Sequence, residues 1–294
     1  MSLIIQARGL TRRYGAMRAL DSIDLDIPAG RIVGLIGPNG AGKTTALKAI
    51  LGLSRYEGSL SVLGLDPARQ RDRLMQQVCF IADVAVLPRW ARVSQIIDLT
   101  ESLHPNFSRE RCLHYLGATK IQPKARVKTL SKGMVVQLHL ALVMAIEARL
   151  LVLDEPTLGL DILFRKRFYS NLLNEYFDED RTILITTHQV EEVEHILTDL
   201  IFIKDGRLVL NSSMDDIHER YTELMVRPDR VDEARALNPL HERVLFGRHI
   251  FLFDQPDMAR MRELGETHRP SVADLFVALM GDESERKAAL GETA

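Results

Sequence analysis

The hydrophobic positions of the chain include three short, continuous apolar runs, each ending in glycine or polar residues. A run of this kind, bounded by turn signals, is typical of a buried parallel strand. Segments with helical periodicity lie between and after the runs, and the Asp205-Gly206 pair predicts a hairpin turn. The alternation of strands and helices predicts a doubly wound α/β core. The runs occupy residues 31–37, 149–156 and 181–188.

Residues from about 71 to 140 show mainly helical periodicity and interrupt this alternation. Pro88, Pro105 and Pro123 stand at the expected breaks between helices, where the missing backbone N–H of proline is tolerated. The pattern predicts a helical subdomain inserted into the α/β core, while residues 1 to about 70 predict short strands before the first buried strand.

The pattern changes again after about residue 215. It predicts a short strand near Leu224, a helix near Val231, a hairpin over 243–253 and two final helices. Ser271, three residues before Asp274, suits the N-cap of the last helix. We therefore expect a core domain over residues 1–214 and a small α+β appendix over residues 215–294.

Composition indicates an ordinary globular protein that recognises its partners locally. The 38 Lys and Arg residues nearly balance the 40 Asp and Glu residues, which leaves a formal charge of −2. No global field attracts nucleic acid or an anionic membrane, so no nucleic-acid partner is expected. Cys79 and Cys112, far apart in apolar surroundings, suit reduced thiols in a core.

The most apolar window of the chain, residues 134–153, does not suit a membrane span. Each charge in a spanning helix costs about 3 kcal/mol, so we expect a helix followed by a strand. The first residues lack the apolar length of a secretory signal, which predicts a cytoplasmic protein. The interrupting residues of the window are Gln137, His139, Glu147 and Arg149.

The strongest chemical signal is a glycine-rich segment between the first buried strand and the helix after it. Such a loop turns backbone N–H groups inward around phosphates, at a helix N-terminus that favours negative charge. Lys43 is expected to reach the β- and γ-phosphates of a nucleotide, and the Thr44 hydroxyl to bind Mg²⁺. The segment consists of Gly37, Pro38, Asn39, Gly40, Ala41, Gly42, Lys43, Thr44 and Thr45.

Two carboxylates and a histidine follow the other two buried strands. Asp154 and Glu155 end one strand, and His188 ends the next. Parallel strands deliver their carboxyl ends to the sheet edge where the phosphate loop also lies. We expect Asp154 to hold Mg²⁺, Glu155 to polarise the attacking water, and His188 to lie near the γ-phosphate.

The segment Leu130-Ser131-Lys132-Gly133-Met134, with Gln137 after it, resembles the LSGGQ signature of ABC ATPases. Together with Leu158-Gly159-Leu160-Asp161 and the phosphate loop, it makes residues 3 to about 210 similar to that family. The resemblance implies a P-loop NTPase fold of the ABC type, with ATP and Mg²⁺ as cofactors.

The resemblance also implies a paired active site. In the family two subunits enclose two ATP molecules, so Ser131, Gly133 and Asp161 are expected at a nucleotide shared with a second ATPase subunit, and a homodimer is expected. Tyr14 stands where the family places an aromatic that stacks on adenine. A separate integral membrane permease is the implied transport partner, which would put the protein on the inner face of the cell membrane.

Two positions depart from the family pattern. The family usually carries a Gln in the segment that corresponds to residues 80–84, and here Asp83 is the nearest polar residue. Asp83 is either a Mg²⁺ ligand or a surface loop residue. Lys132 and Met134 replace the second Gly and the Gln of the signature, as in a bacterial exporter-like subset with LSKGM, and Lys132 either adds charge near phosphate or is solvated.

The expected function is an ATP-hydrolysing subunit that powers transport, with export favoured by resemblance. One alternative is a soluble ABC ATPase without a transport role. Another is a regulatory module that binds nucleotide without turnover, against which Glu155 argues because it supplies a base for hydrolysis.

Overall fold

The computed structural model describes residues 2–81 and 87–281. The strands are β1 (Leu3–Tyr14), β2 (Met17–Pro28), β3 (Ile32–Ile36), β4 (Glu57–Val62), β5 (Val78–Ile81), β6 (Leu150–Asp154), β7 (Thr182–Thr187), β8 (Asp199–Lys204), β9 (Arg207–Ser213), β10 (Tyr221–Val226), β11 (His241–Leu245), β12 (Arg248–Asp254) and β13 (Gly265–His268). The α-helices are α1 (Lys43–Ile50), α2 (Arg71–Met75), α3 (Val93–Leu103), α4 (Arg109–Gly117), α5 (Lys132–Met144), α6 (Ile162–Asn171), α7 (Val190–Val193), α8 (Met214–Arg220), α9 (Val231–Arg235), α10 (Met258–Leu264) and α11 (Val272–Met280).

The described residues divide into two compact units. Residues up to 188 together with 203–208 form the first unit, and residues 189–202 together with 209–281 belong to the second. The division passes through the β8–β9 hairpin. The expected domain boundary after residue 214 stays a prediction.

The core of the first unit is a parallel sheet with the strand order β5-β6-β7-β3. Strands β3, β6 and β7 are buried along their whole length, as their continuous apolar sequences predict. Asp154 pairs with Thr186 and Leu35 also pairs with Thr186, so the ends of β3, β6 and β7 lie at one edge. The predicted α/β core is confirmed.

A second sheet in the first unit is antiparallel, with the order β2-β1-β4. Strands β1 and β2 have 12 residues each, so the expectation of short strands before the first buried strand is wrong for this hairpin. Several register shifts break the alternation of buried and exposed side chains in β1, which shortens the pattern visible in the sequence. At the hairpin end, Tyr14 pairs with Met17.

The region from 71 to 140 is mainly helical, as predicted. Helices α3, α4 and α5 pack around a buried apolar cluster that includes Ile97, Cys112 and Leu138. One segment differs from the prediction, because Val78–Ile81 forms β5 and pairs in parallel with β6. Four residues are too few to show a strand period against the helical pattern around them.

The second unit contains a four-stranded sheet with the order β11-β12-β10-β13. The strand near Leu224, the hairpin and the last two helices were all predicted, and Ser271 caps α11 by accepting a hydrogen bond from the Asp274 amide at 3.1 Å. The polar strand β13 and helix α8 were missed. A signal for α8 was present, because Ser213 and Asp216 repeat the spacing of Ser271 and Asp274.

Three further expectations concern single segments. The apolar window 134–153 forms most of α5 and then β6, as predicted. Asp205 and Gly206 both have positive φ, of 50° and 75°, as the predicted tight hairpin turn requires. Both cysteines are free and buried, and none of the helices in the described ranges has the length and apolarity to cross a bilayer.

Candidate active site

The glycine-rich segment forms a tight loop between β3 and α1. Gly40 and Gly42 have φ of 83° and 111°, a region that glycine adopts without strain. A Cβ at Gly42 would lie 2.4 Å from the Ala19 carbonyl oxygen, so only glycine fits there. The loop leads directly to the first N–H groups of α1, which suits an anion.

Lys43, the first residue of α1, lies folded back over this loop. Its ammonium donates hydrogen bonds to the carbonyl oxygens of Gly37 at 2.6 Å and Pro38 at 3.1 Å. The residue is only 9% exposed, and burial lowers its pKa, an effect opposed by the nearby charges of Glu155 and Asp154. The attraction between a buried cation of this kind and a fully charged phosphate is stronger than it would be in water.

Asp154 lies between two threonine hydroxyls. The Thr186 hydroxyl donates to its Oδ1 at 2.5 Å, and Thr44 Oγ1 lies 3.5 Å from its Oδ2. Thr44 and Asp154 therefore present two oxygen ligands of the kind Mg²⁺ prefers, with room for nucleotide oxygens to complete the shell. The chemistry of this donor set fits Mg²⁺, and Thr186 fixes the carboxylate that would hold it.

Glu155 has the left-handed backbone conformation, with φ of 49°. Its backbone N–H donates to the Thr186 carbonyl at 3.0 Å, which anchors the strained residue to β7. Its carboxylate lies 2.9 Å from Nδ1 of His188. A non-glycine residue held in this region at the end of a strand is typical of an active site.

Residues 39–45 of the loop and α1, together with Asp154 and Glu155, line a cavity of about 290 Å³. Tyr14, 44% exposed, stands at its rim and leaves part of its ring free for a planar partner. The size and the mixture of polar and apolar walls suit a small ligand. The cavity is lined by Tyr14, Met17, Ala19, Asn39, Gly40, Ala41, Gly42, Lys43, Thr44, Thr45, Asp154 and Glu155.

Six expected site residues in the described part of the chain are not among those that line this cavity, namely Gly37, Pro38, Ser131, Gly133, Asp161 and His188. Ser131 caps α5 by accepting from the Met134 amide at 3.2 Å, and Asp161 caps α6 by accepting from the Phe164 amide at 2.9 Å. A Cβ at Gly133 would lie 3.6 Å from the Gly159 carbonyl oxygen, so the signature segment contacts the loop before α6. Asp83 lies outside the described residues.

Sequence reasoning missed Thr186 and the conformation of Glu155. Thr186 belongs to a buried strand in which the hydroxyls of Thr186 and Thr187 interrupt the apolar run directly before His188. Two polar residues at the end of a buried strand are a signal that could have found Thr186. The positive φ of Glu155 had no sequence signal, since no glycine or asparagine marks that position.

Comparisons with known proteins agree on one family. The family described as ABC transporter matches residues 20–158. The chain is 30% identical to the Nod factor export ATP-binding protein I of Cupriavidus metallidurans, over 96% of this chain and 99% of that protein. It is 28% identical to the daunorubicin resistance ATP-binding protein DrrA2 of Streptomyces coeruleorubidus, over 97% of each.

Solved structures show the same fold. A structure titled as the ATP-binding subunit of an ABC transporter is 25% identical, with a TM-score of 0.66, over 73% of this chain and 92% of that chain. A nucleotide-free ATP-binding cassette shares the fold at 17% identity, with a TM-score of 0.62, over 74% of this chain and 94% of that chain.

The chain belongs to the family of ABC transporter ATP-binding subunits. It is an ATPase with ATP and Mg²⁺ as cofactors, and members of its family dimerise and work with a membrane permease. The fold is that of a P-loop NTPase of the ABC type, as the signature predicted.

Proposed function

We propose that this chain is the energy-supplying subunit of an export system, acting as a homodimer on the cytoplasmic face of the cell membrane beneath a separate permease. The pairing of Glu155 with His188, beside the loop that holds Lys43, is the observation that carries the proposal. It provides groups for ATP hydrolysis in addition to groups for ATP binding. The names of two relatives, which refer to Nod factor export and daunorubicin resistance, support export as the direction.

In this proposal five cavity residues and His188 have defined roles. Lys43 releases the two loop carbonyls and binds the β- and γ-phosphates, while Thr44 and Asp154 hold Mg²⁺. Glu155 positions and polarises the attacking water, and His188 holds the Glu155 carboxylate and contacts the γ-phosphate. Tyr14 stacks on adenine at the rim.

The second copy would supply Ser131, Gly133 and Asp161. These residues do not line the cavity of their own chain, and Ser131 starts a 13-residue helix whose first N–H groups suit an anion. Because the second copy completes the site, dimerisation is a condition for turnover. In other NTPases an arginine finger supplied by a partner plays the corresponding role at the γ-phosphate.

A mixing experiment tests the shared site. Ser131→Ala damages the site of the partner, whereas Glu155→Gln damages the site of its own chain. A mixed dimer of the two inactive variants therefore regains one intact site, and ATPase activity is expected to reappear on mixing. Ser108→Ala is the control, because Ser108 likewise caps a helix of the insert, α4, outside the signature.

If the mixed variants stay as inactive as each alone, the shared site is contradicted.

The permease is tested separately. We expect a polytopic membrane protein encoded beside this chain to co-purify with it and raise its ATPase rate. A membrane extract that neither binds the protein nor changes its turnover would contradict the transport role.

A further inference from the structure

Arg12 and Tyr14 lie two residues apart near the end of β1, where register shifts interrupt the pairing with β2. The guanidinium carbon of Arg12 lies 4.6 Å from the centroid of the Tyr14 ring. This distance is well within the range of a cation–π contact. One face of the exposed ring is thus covered by a cation.

Arg12 and Tyr14 differ in their relation to the cavity. Tyr14 lines the cavity, whereas Arg12 is absent from its wall. The cation therefore contacts the ring without lining the space that a base would enter. A base in the cavity would meet Tyr14 and not Arg12.

The surroundings of Arg12 suit a contact with the ring. Its Nε is buried and has no hydrogen-bond partner, so this part of the guanidinium is withheld from water beside the Tyr14 ring. The pKa of the Tyr14 phenol is lowered, first by a hydrogen-bonding interaction with Arg12 and then by Ser54. The Arg12 side chain is thus a close neighbour of the Tyr14 ring.

We propose that Arg12 is a positioning residue for the nucleotide base, holding the Tyr14 ring from behind so that adenine stacks on a ring already in place. This inference rests on the proposed role of Tyr14 as the adenine platform. A half-exposed tyrosine without such support loses rotamer freedom when a base binds, and that loss weakens affinity. With Arg12 in place the ring is ordered before the base arrives.

Loss of the contact between Arg12 and Tyr14 should weaken nucleotide binding by a small factor. An exposed cation–π contact corresponds to roughly a 2- to 5-fold change in an equilibrium constant. The contact is present before and during the reaction, so its removal is expected to raise KM and leave kcat unchanged. Stacking barely discriminates between bases, so GTP and ATP should be affected alike.

The decisive experiment compares Arg12→Ala with Arg13→Ala by titration calorimetry. The control removes the same charge from a neighbouring position, where Arg13 is 49% exposed and lies 3.8 Å from the carboxylate of Glu57. Each variant is titrated with Mg-ATP and with inorganic tripolyphosphate, which has the phosphates but no base. We expect Arg12→Ala to weaken ATP binding by about 2- to 5-fold, to leave tripolyphosphate binding unchanged, and Arg13→Ala to change neither.

A double-mutant cycle with Tyr14→Ala separates support of the ring from any direct contact with the nucleotide. In a Tyr14→Ala background, Arg12→Ala is expected to have no further effect on ATP binding. Full additivity, or an equal loss of tripolyphosphate binding, would overturn the proposal and indicate a contact between Arg12 and phosphate.

Two further variants keep the test decisive if Arg12→Ala does not fold. Arg12→Lys retains a cation over the ring and should keep most of the ATP affinity, whereas Arg12→Gln should lose it. Equal affinities of these two variants would contradict the cation–π contact. If the wild-type protein binds neither ATP nor tripolyphosphate, the proposed function itself is contradicted. If it binds ATP normally and the substitutions at Arg12 do not change the affinity, only this inference is contradicted.

Discussion

Nδ1 of His188 lies 2.9 Å from Oε1 of Glu155, and this contact joins the ends of two neighbouring parallel strands. Half of the His188 side chain is exposed, whereas only 16% of the Glu155 side chain is. The imidazole thus contacts the carboxylate of a residue whose left-handed backbone is anchored by a hydrogen bond from its N–H to the Thr186 carbonyl. In the proposed role of Glu155 as the base, this arrangement pre-organises it for the attacking water.

The first prediction concerns this contact. His188→Ala releases the Glu155 carboxylate, and kcat is expected to fall by about 10²-fold with little change in ATP affinity. His114→Ala is the control, because His114 is 72% exposed on α4, outside the site. Steady-state hydrolysis and ATP titration measure both effects, and hydrolysis at the wild-type rate in His188→Ala would show that the contact is irrelevant.

The second prediction concerns the support of Asp154. Thr186→Val keeps the shape of the side chain but removes the hydroxyl that donates to Asp154. Mg²⁺ affinity in the presence of ATP is expected to fall by about 10- to 100-fold, as for other residues that orient a metal ligand. Titration of ATPase activity with Mg²⁺ measures the change.

A matched control lies on the same strand. Thr182→Val removes a buried hydroxyl that accepts a hydrogen bond from the Gly30 amide, at the opposite end of β7. Its effect on folding should resemble that of Thr186→Val, while its Mg²⁺ dependence stays normal. Equal Mg²⁺ dependence in both variants would reject the proposed role of Thr186.

The third prediction concerns the buried cation. Lys43→Met is expected to abolish the stabilisation by Mg-ATP, which reaches about 2.7 kcal/mol at 100 times Kd in a binding-competent protein. The nucleotide-free variant should keep its stability within about 1 kcal/mol, because the lost hydrogen bonds are offset by relief of a buried charge. Thermal unfolding with and without Mg-ATP measures both quantities.

The same substitution has a pH signature. Burial lowers the pKa of Lys43 from its usual 10.5, so the folded state binds fewer protons than the unfolded state between the lowered value and 10.5. Wild-type stability should therefore rise with pH across this window relative to Lys43→Met.

A Lys43→Met variant that still gains stability from Mg-ATP would contradict the assigned role of the lysine.

Much of the fold and the central chemistry could be predicted from the sequence because both depend on local patterns. Continuous apolar runs mark buried strands. Gly42 and Lys43 follow Gly37 at the spacing that a phosphate loop requires. Asp154, Glu155 and His188 could be placed together because parallel strands share an edge. The signature, by contrast, was recognised by resemblance.

The missed features depend on contacts between distant parts of the chain. Strand β13 is polar, and it forms because β10 offers it an edge. Thr186 contacts Asp154 although the two residues are 32 positions apart in the sequence, and its role follows from the register of β6 and β7. The burial of Arg12 Nε likewise follows from packing, since an arginine beside a tyrosine on a strand is ordinarily solvated.

Glu155 is the residue on which ATP hydrolysis depends in the proposed function, and the turnover of Glu155→Gln measures that dependence. The amide keeps the shape of the side chain but cannot accept a proton, so we expect turnover to fall by roughly 10²- to 10⁴-fold while ATP binding persists. Glu147→Gln, which alters a carboxylate 54% exposed and paired with Arg111, should hydrolyse ATP normally. Glu155→Gln that turns over ATP at the wild-type rate would contradict the account.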